Sequence, residues 1–282
     1  MFGSDTMNFD FHLHSTFSDG STKMEDIFIK GKELDLKAIS ITDHDTTLGL
    51  NLEHELSKKY NIPYIPAVEF TAIEKGVKLH VLGYYIDKDS KELHDYSMKL
   101  LNYLNTKSMQ QIKILQSNGI DIPESEYFKQ SQGGPLYRAK LLRTLADFGY
   151  LEIKDIMVSL KKYFGPEGIC HVPDDFKYND FQSTIELIKR NNGMAVLAHP
   201  IKIKKKSEDL YYELINSNLL DGIEIYHPSV TPEVKKELEE VTKKKNLLIT
   251  GGSDYHGLYN KLGTPLAGMD VPEFVYENLI YR

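Results

Sequence analysis

Six of the chain's ten histidines close or interrupt short apolar, strand-like runs, each beside or near a carboxylate. The runs are Phe9 to His14, Ala38 to His44, Lys78 to His80, Met194 to His199 and Leu247 to His256. Imidazoles and carboxylates repeated at strand ends add nothing to the stability of a soluble protein, whereas an active site built on those ends requires them. In a β/α barrel the C-terminal ends of all strands converge on one face, so residues far apart in sequence become neighbours there. Histidine with Asp and Glu, in a chain whose single cysteine is Cys170, is the ligand set of hydrolytic divalent metals. The pattern therefore points to a multinuclear metallohydrolase.

Each signal has a plainer reading when taken singly. His12 and His14 lie two apart, so on a strand both side chains share a face and can reach one ion. Asp19, in Ser18-Asp19-Gly20, also reads as a turn aspartate. In Asp43-His44-Asp45 one carboxylate could coordinate while another orients an imidazole. Glu69 would be costly to bury without a cation, and cheap at an edge. His80 also reads as a core histidine, His199-Pro200 as a strand exit, and Asp254-Tyr255-His256 as a loop. The plain readings become improbable when all must hold together at successive strand ends. His54, His94 and His171 are not at strand ends and read as surface or structural residues.

From Phe9 to Val81 the pattern alternates strand and helix, with Thr22 and Glu25 spaced as a capping box ahead of Met24, Ile27 and Phe28. Ile62 to Phe70 and Leu79 to Tyr84 are β-rich runs. Alternation resumes near Asp180: helix 183–190, strand 194–198, helix 209–216, strand 222–226, helix 232–244 and strand 247–250. Repeated βα units predict parallel strands with right-handed crossovers. Residues 90–178 break the rhythm with successive helical patterns, including 138–145 and 152–163, and read as a helical insertion between barrel parts 8–89 and 179–282. An insertion leaving after one barrel strand and returning before another would project over the catalytic face as a lid and substrate selector.

At 282 residues, 41% apolar and 27% charged, the composition is that of a globular cytoplasmic enzyme. No apolar run is long enough for a membrane span, and Met1 to Asn8 lack the basic and apolar regions of a signal peptide. A net charge of −7 argues against a nucleic-acid-coating protein, and no stable nucleic-acid complex is expected.

The strings Asp10-Phe11-His12-Leu13-His14-Ser15, Ser18-Asp19-Gly20 and Ile41-Thr42-Asp43-His44-Asp45 resemble the start of the PHP (polymerase and histidinol phosphatase) superfamily. Glu69, His80-Val81-Leu82-Gly83-Tyr84, Ala198-His199-Pro200 and Gly252-Ser253-Asp254-Tyr255-His256 are similar to its later motifs, in order. Within it the chain most resembles metal-dependent phosphoesterases with a helical insertion, a branch that includes nucleoside 3′,5′-bisphosphate phosphatases and RNase AM-like 5′-to-3′ exonucleases. The resemblance implies a distorted seven-stranded (β/α) barrel holding two to three divalent ions (Mn2+, Fe2+ or Zn2+). One ion would fall to His12, His14, Glu69 and Asp254. A second would share Glu69 and use His80 and His199, and a third would use Asp19, His44 and His256.

Three such ions would carry about six positive charges against the carboxylates of Asp19, Glu69 and Asp254, an excess that a phosphate and a bridging hydroxide would compensate. A bound water would ionise near pH ~7. Asp19, His44, Glu69 and His227 are the catalytic candidates. His227 ends the run Gly222 to Tyr226, so it also reads as a phosphate contact or leaving-group acid. The branch commonly carries an Arg-Pro-His recognition segment. In the corresponding stretch here, Gly133-Gly134-Pro135-Leu136-Tyr137-Arg138, Gly134 and Leu136 replace the arginine and histidine. Tyr137 and Arg138 are therefore the substrate-binding candidates, Arg138 supplying a guanidinium from a shifted position. The expected reaction is hydrolysis of a phosphomonoester of a small, nucleotide-like phosphorylated metabolite. The alternatives are a 5′-to-3′ exonuclease acting on an oligonucleotide 5′ end, for which a basic groove would speak, a histidinol-phosphate phosphatase, or a degenerate metal-binding domain.

Overall fold

The structure is a computed structural model and describes residues 8–260 and 262–281. The N-terminal stretch read above for a signal peptide lies, apart from Asn8, outside the described residues. The chain runs β1 (Phe9–Leu13), α1 (Met24–Glu33), β2 (Ala38–Ile41), α2 (Leu50–Tyr60), β3 (Ala67–Glu74) and β4 (Val77–Tyr84). Then come α3 (Lys91–Ser117), α4 (Glu124–Phe128), α5 (Arg138–Asp147) and α6 (Ile156–Phe164). The last third is α7 (Phe181–Arg190), β5 (Met194–Leu197), α8 (Ile201–Lys204), α9 (Glu208–Ile215), β6 (Gly222–Tyr226), α10 (Pro232–Lys245), β7 (Leu248–Gly251) and α11 (Glu273–Ile280).

The fold is α/β, as expected, but the described strands form two sheets and no closed barrel. β1 pairs with β2, and a second sheet has the order β3-β4-β5-β6-β7. Isolated bridges, Leu13 to Tyr255 on one side and Ile39 to Tyr64 and His44 to Glu69 on the other, connect the two. β1 and β2 are short, and β1 is irregular between Asp10 and Leu13. The ladder gives out where Thr42, Asp43, His44 and Asp45 turn their polar groups to other tasks. Uniformly parallel strands are also corrected. β3 and β4 form an antiparallel hairpin, and β4 runs antiparallel to β5. The cause is local: Lys75 and Gly76 both have positive φ (49° and 76°), the two-residue turn that suits a hairpin.

The capping box expected at α1 does not form. Lys23 precedes the helix without a side-chain cap. Thr22 Oγ1 instead meets Tyr255 OH at 3.1 Å, and Glu25 accepts from Lys59 and Tyr60. Tertiary partners have outbid the local motif.

The main core lies between the second sheet and α7, α9, α10 and α11. α1 and α2 pack a smaller cluster against β1 and β2. Helices α3 to α6 have their own core, with Ile112, Leu115, Tyr127, Leu141, Leu145 and Ile156. The described residues thus hold three apolar clusters. None of the described helices is long and apolar enough to cross a membrane.

Candidate metal centre

His12 in β1 and His14 just after it are fully buried and meet Glu69, from β3, and Asp254, from the segment after β7. His12 Nε2 and His14 Nε2 lie 3.2 and 3.1 Å from Glu69 Oε2, and 3.4 and 3.3 Å from Asp254 Oδ1. The other Glu69 oxygen, Oε1, faces His80 Nδ1 at 2.9 Å and His199 Nε2 at 2.8 Å. These two nitrogens are 3.4 Å apart. Farther out, Asp19 Oδ1 lies 3.4 Å from His256 Nε2, 3.7 Å from His14 Nδ1 and 3.9 Å from His44 Nε2. His44 Nδ1 reaches back to Glu69 Oε2 at 3.4 Å. The nine residues singled out as metal ligands gather in one place.

Whether cations fit there can be judged from unsatisfied atoms. His12 Nε2, His14 Nε2, Glu69 Oε2, His44 Nδ1 and Asp19 Oδ1 are all buried without a hydrogen-bond partner. A buried polar atom left unpaired costs about 1–3 kcal/mol, so five converging ones would be hard to sustain without something to bind. Ligand atoms of His12, His14, Glu69 and Asp254 lie within 4.8 Å of one another, as do those of His14, Asp19, His44 and His256, and those of His44, Glu69 and His80. The donor set fits divalent ions.

The charge states agree in part. Burial disfavours ionising Glu69, yet His44, His80 and His12 hold its carboxyl well below the usual range. Asp254, buried, and Asp19, half-buried, are likewise held low against desolvation, chiefly by His12 and by His256 respectively. Burial keeps His199 neutral down to about 3 and pushes His44 well below its usual value. His14 goes the other way. Burial opposes its charge, but Asp254, Glu69 and Asp19 raise it to about 10, so without ions it holds a proton.

Surrounding residues aim these groups. Glu224, fully buried in β6, accepts from His12 Nδ1 at 2.7 Å and from the His199 backbone N–H at 2.8 Å. That contact points His12 Nε2 at the centre. His227 is buried. Its Nε2 lies 3.1 Å from Asp254 Oδ2, its Nδ1 2.7 Å from Ser229 Oγ, and Ser229 rather than His227 lines the open cavity. Lys202 Nζ also donates to Asp254 Oδ2, at 3.0 Å. Asp254 thus has one oxygen held from outside and one turned inward. Asp43 accepts from Ser15 N and Oγ and Ser18 Oγ, and Asp45 from Thr71 N and Oγ1 and Tyr96 OH. Of the Asp43-His44-Asp45 triplet, only His44 faces the centre. Asp45, His199 and Asp254 all have positive φ (54°, 30° and 51°), strain that surrounding contacts must hold in place.

The centre opens into a cavity of about 440 Å3, lined on the metal side by Asp19, His44, Glu69, His80, His199, Asp254 and His256. Tyr137, Arg138, Ala139, Met157 and Leu160 from the 90–178 segment line it too. An adjoining recess of about 300 Å3 shares Tyr137, Arg138 and Lys202 and adds Lys78, Tyr178 and Lys206. Lys202, Lys205 and Lys206 are spaced i, i+3, i+4 around α8 and its continuation, so one face of a lysine run meets these spaces. Lys204, off that face, binds Glu237. Gly134 and Leu136 point elsewhere. Leu136 is buried in the helical core, and a side chain at Gly134 would collide with the Phe17 backbone.

Glu224 was missed from sequence, while Lys202 and Lys205 stood out there only as members of the Lys202 to Lys206 run after His199, a hint of a basic groove whose plainer reading is a solvated face. A glutamate between Ile223 and Ile225 in an otherwise apolar strand was the available signal for the first, and helical spacing within the lysine run for the others. Away from the centre, His54 bonds Tyr64 OH and His171 the Phe164 carbonyl, as structural histidines do.

A family model, the PHP domain, matches residues 10–170. The phosphoribosyl 1,2-cyclic phosphate 1,2-diphosphodiesterase of Eggerthella lenta is 29% identical over 266 residues, 93% of this chain and 98% of that protein. The 5′-3′ exoribonuclease Rnm of Escherichia coli is 24% identical over 252 residues, 88% of this chain and 85% of its own. Among solved structures, a candidate metal-dependent phosphoesterase from Bifidobacterium adolescentis shares the fold, with a TM-score of 0.78 at 22% identity, over 98% of this chain and 96% of that one.

Proposed function

The chain belongs to the PHP domain family of metal-dependent phosphoesterases, and from that premise we propose that it hydrolyses a phosphomonoester of a small, nucleotide-like phosphorylated metabolite at a three-ion centre. The observation that carries this is the convergence of five unpaired buried ligand atoms beneath a cavity walled by cations. His12, His14, Glu69 and Asp254 would hold one ion, Glu69, His80 and His199 a second, and Asp19, His44 and His256 a third. Bound ions (Mn2+, Fe2+ or Zn2+) would supply an acidified water and positive charge for the phosphoryl oxygens.

The chain's own groups do the rest. Glu224 fixes the His12 tautomer, and His227 and Lys202 hold the outer oxygen of Asp254. Arg138, Lys202 and Lys205 attract an anionic substrate into the cavity. Residues 90–178 act as the insertion that covers this face between the two α/β parts, 8–89 and 179–282. Its Tyr137 and Arg138 touch the substrate beyond the scissile phosphate. The name of the Eggerthella relative makes a phosphoribosyl cyclic diester a substrate to be tried alongside phosphomonoesters.

A second reading, trimming of an oligonucleotide from its 5′ end, is favoured by one observation. Lys78, Lys202, Lys205, Lys206 and Arg138 line a continuous pair of spaces that could seat more than one phosphate. The test is a panel of phosphomonoesters, nucleoside bisphosphates, a phosphoribosyl cyclic phosphate and 5′-phosphorylated oligonucleotides, each with Mn2+, Zn2+ and Fe2+. Turnover of small monoesters well above oligonucleotides is expected, and the reverse order would move the function to the second reading. Metal analysis of protein purified without chelator should find two to three ions per chain, and a chain that takes up none would refute both.

A further inference from the structure

We infer that Lys140 is a positioning residue for Asp19: it clasps the loop between His14 and Asp19 to the helical segment and so sets how firmly the outermost ion is held. The inference rests on the three-ion reading above.

Lys140 lies in α5 and is only 1% exposed. Its Nζ donates to the Thr16 carbonyl at 2.7 Å and to the Pro135 carbonyl at 2.9 Å, and among the described residues it makes no ion pair. Burial pulls this ammonium down to about 8, against the fields of Asp43 and Asp19. A lysine is a costly way to fill a helix face, since a methionine would occupy the space without burying a charge. What the ammonium adds is a tie between two carbonyls on separate stretches of chain.

The same two stretches touch a second time. Gly134 packs so closely on Phe17 that a Cβ there would lie 2.3 Å from the Phe17 carbonyl oxygen. Asp43 also holds Ser15 and Ser18. The loop is therefore held both by Asp43 and by the helical segment, and Asp19 is the next residue along. Asp19 needs such support, because its side chain is 30% exposed and its distances to the imidazoles, 3.4 to 3.9 Å, reach the longest in the centre.

Lys140→Met should weaken the weakest of the three ions by about 10- to 100-fold, the range for removing a partner that orients a ligand. The two deeper ions should titrate as in the parent chain. Hydrogen exchange in the ion-free protein should rise at residues 15–20 and stay unchanged at His12 and Glu69. Gly134→Ala should act in the same direction and serves if Lys140→Met does not fold. Native affinity for all three ions in either folded variant overturns the clasp, and so does parallel loss of all ions, which would make Lys140 scaffold. A parent chain that binds only two ions refutes the three-ion reading instead, and the exchange at residues 15–20 then decides the clasp alone.

Discussion

In the deep half of the centre His12, His14, Glu69 and Asp254 are all buried, and their facing atoms lie 3.1 to 3.4 Å apart. In the outer half Asp19, His44 and His256 are partly exposed, and Asp19 Oδ1 stands 3.4 Å from His256 and 3.9 Å from His44. The deep ligands sit on or next to strands and are oriented by further buried groups, Glu224, His227 and Asp10, the last accepting from the His12, Ser253 and Ala267 amides. Two of the outer residues, Asp19 and His256, sit on loops: the stretch before Asp19 is held by Asp43 and the helical segment, and His256 Nδ1 meets the Asp254 carbonyl at 2.7 Å. The difference teaches that side chains on or next to strands, backed by buried neighbours, form the tighter half of the centre, whereas the outer half, where the proposed third ion would sit, leans on contacts with the helical segment.

The sharpest way to break that division is Glu69→Ala. Glu69 touches residues of every group, so its loss should empty more than one ion position and lower kcat/KM by about 10^2- to 10^3-fold, the scale of losing a group that governs developing charge. Near-native turnover would refute the bridging role. Glu224→Gln tests the deep half from outside. It keeps the volume but loses the carboxylate on His12 Nδ1, and should weaken the deepest ion by about 10- to 100-fold, leaving the outer ion nearly unchanged. Equal weakening of both would erase the distinction.

pH separates the halves too. His14, held up at about 10 by Asp254, Glu69 and Asp19 despite its burial, must give up its proton to bind an ion. Fewer protons need displacing as pH rises, so deep-ion affinity should climb between about pH 6 and 9, by up to about tenfold per unit per proton. The outer ion should respond less, because burial already keeps His44 neutral and Asp19 is held ionised, chiefly by His256. Calorimetry in buffers of different ionisation enthalpy reads the released protons, and matching slopes for both ions would count against the assignment. The smallest effect concerns substrate. Arg138→Ala should raise KM about tenfold for a substrate with a second anionic group, consistent with about 1.5–3 kcal/mol for a hydrogen bond to a charge. For p-nitrophenyl phosphate it should change little, and equal changes would remove Arg138 from substrate recognition.

The deep half was far more legible than the outer half. His12 and His14 at spacing two, Glu69 after Pro66-Ala67-Val68 and Asp254 after two glycines are local signals, since strand geometry dictates where such side chains point. The strands themselves were legible for the same reason, β6 at Gly222 to Tyr226 among them. Asp43 and Asp45 were not separable from His44, because which member of the triplet faces inward depends on Ser15, Ser18, Thr71 and Tyr96. The Thr22 to Glu25 box failed because Tyr255 and Lys59 arrive from elsewhere in the chain.

By itself, then, the sequence determined the α/β class, the run of helices after β4 and which His, Asp and Glu residues gather at the centre, all of which follow from periodicity and residue chemistry over short spans. Only the tertiary structure decided that β3 and β4 form a hairpin, that the strands make two sheets, that Glu224 stands behind His12, and that Lys140 reaches Thr16 across the fold. Each of these joins groups distant along the chain, and the energy of such a contact exists only once the intervening chain has been ordered.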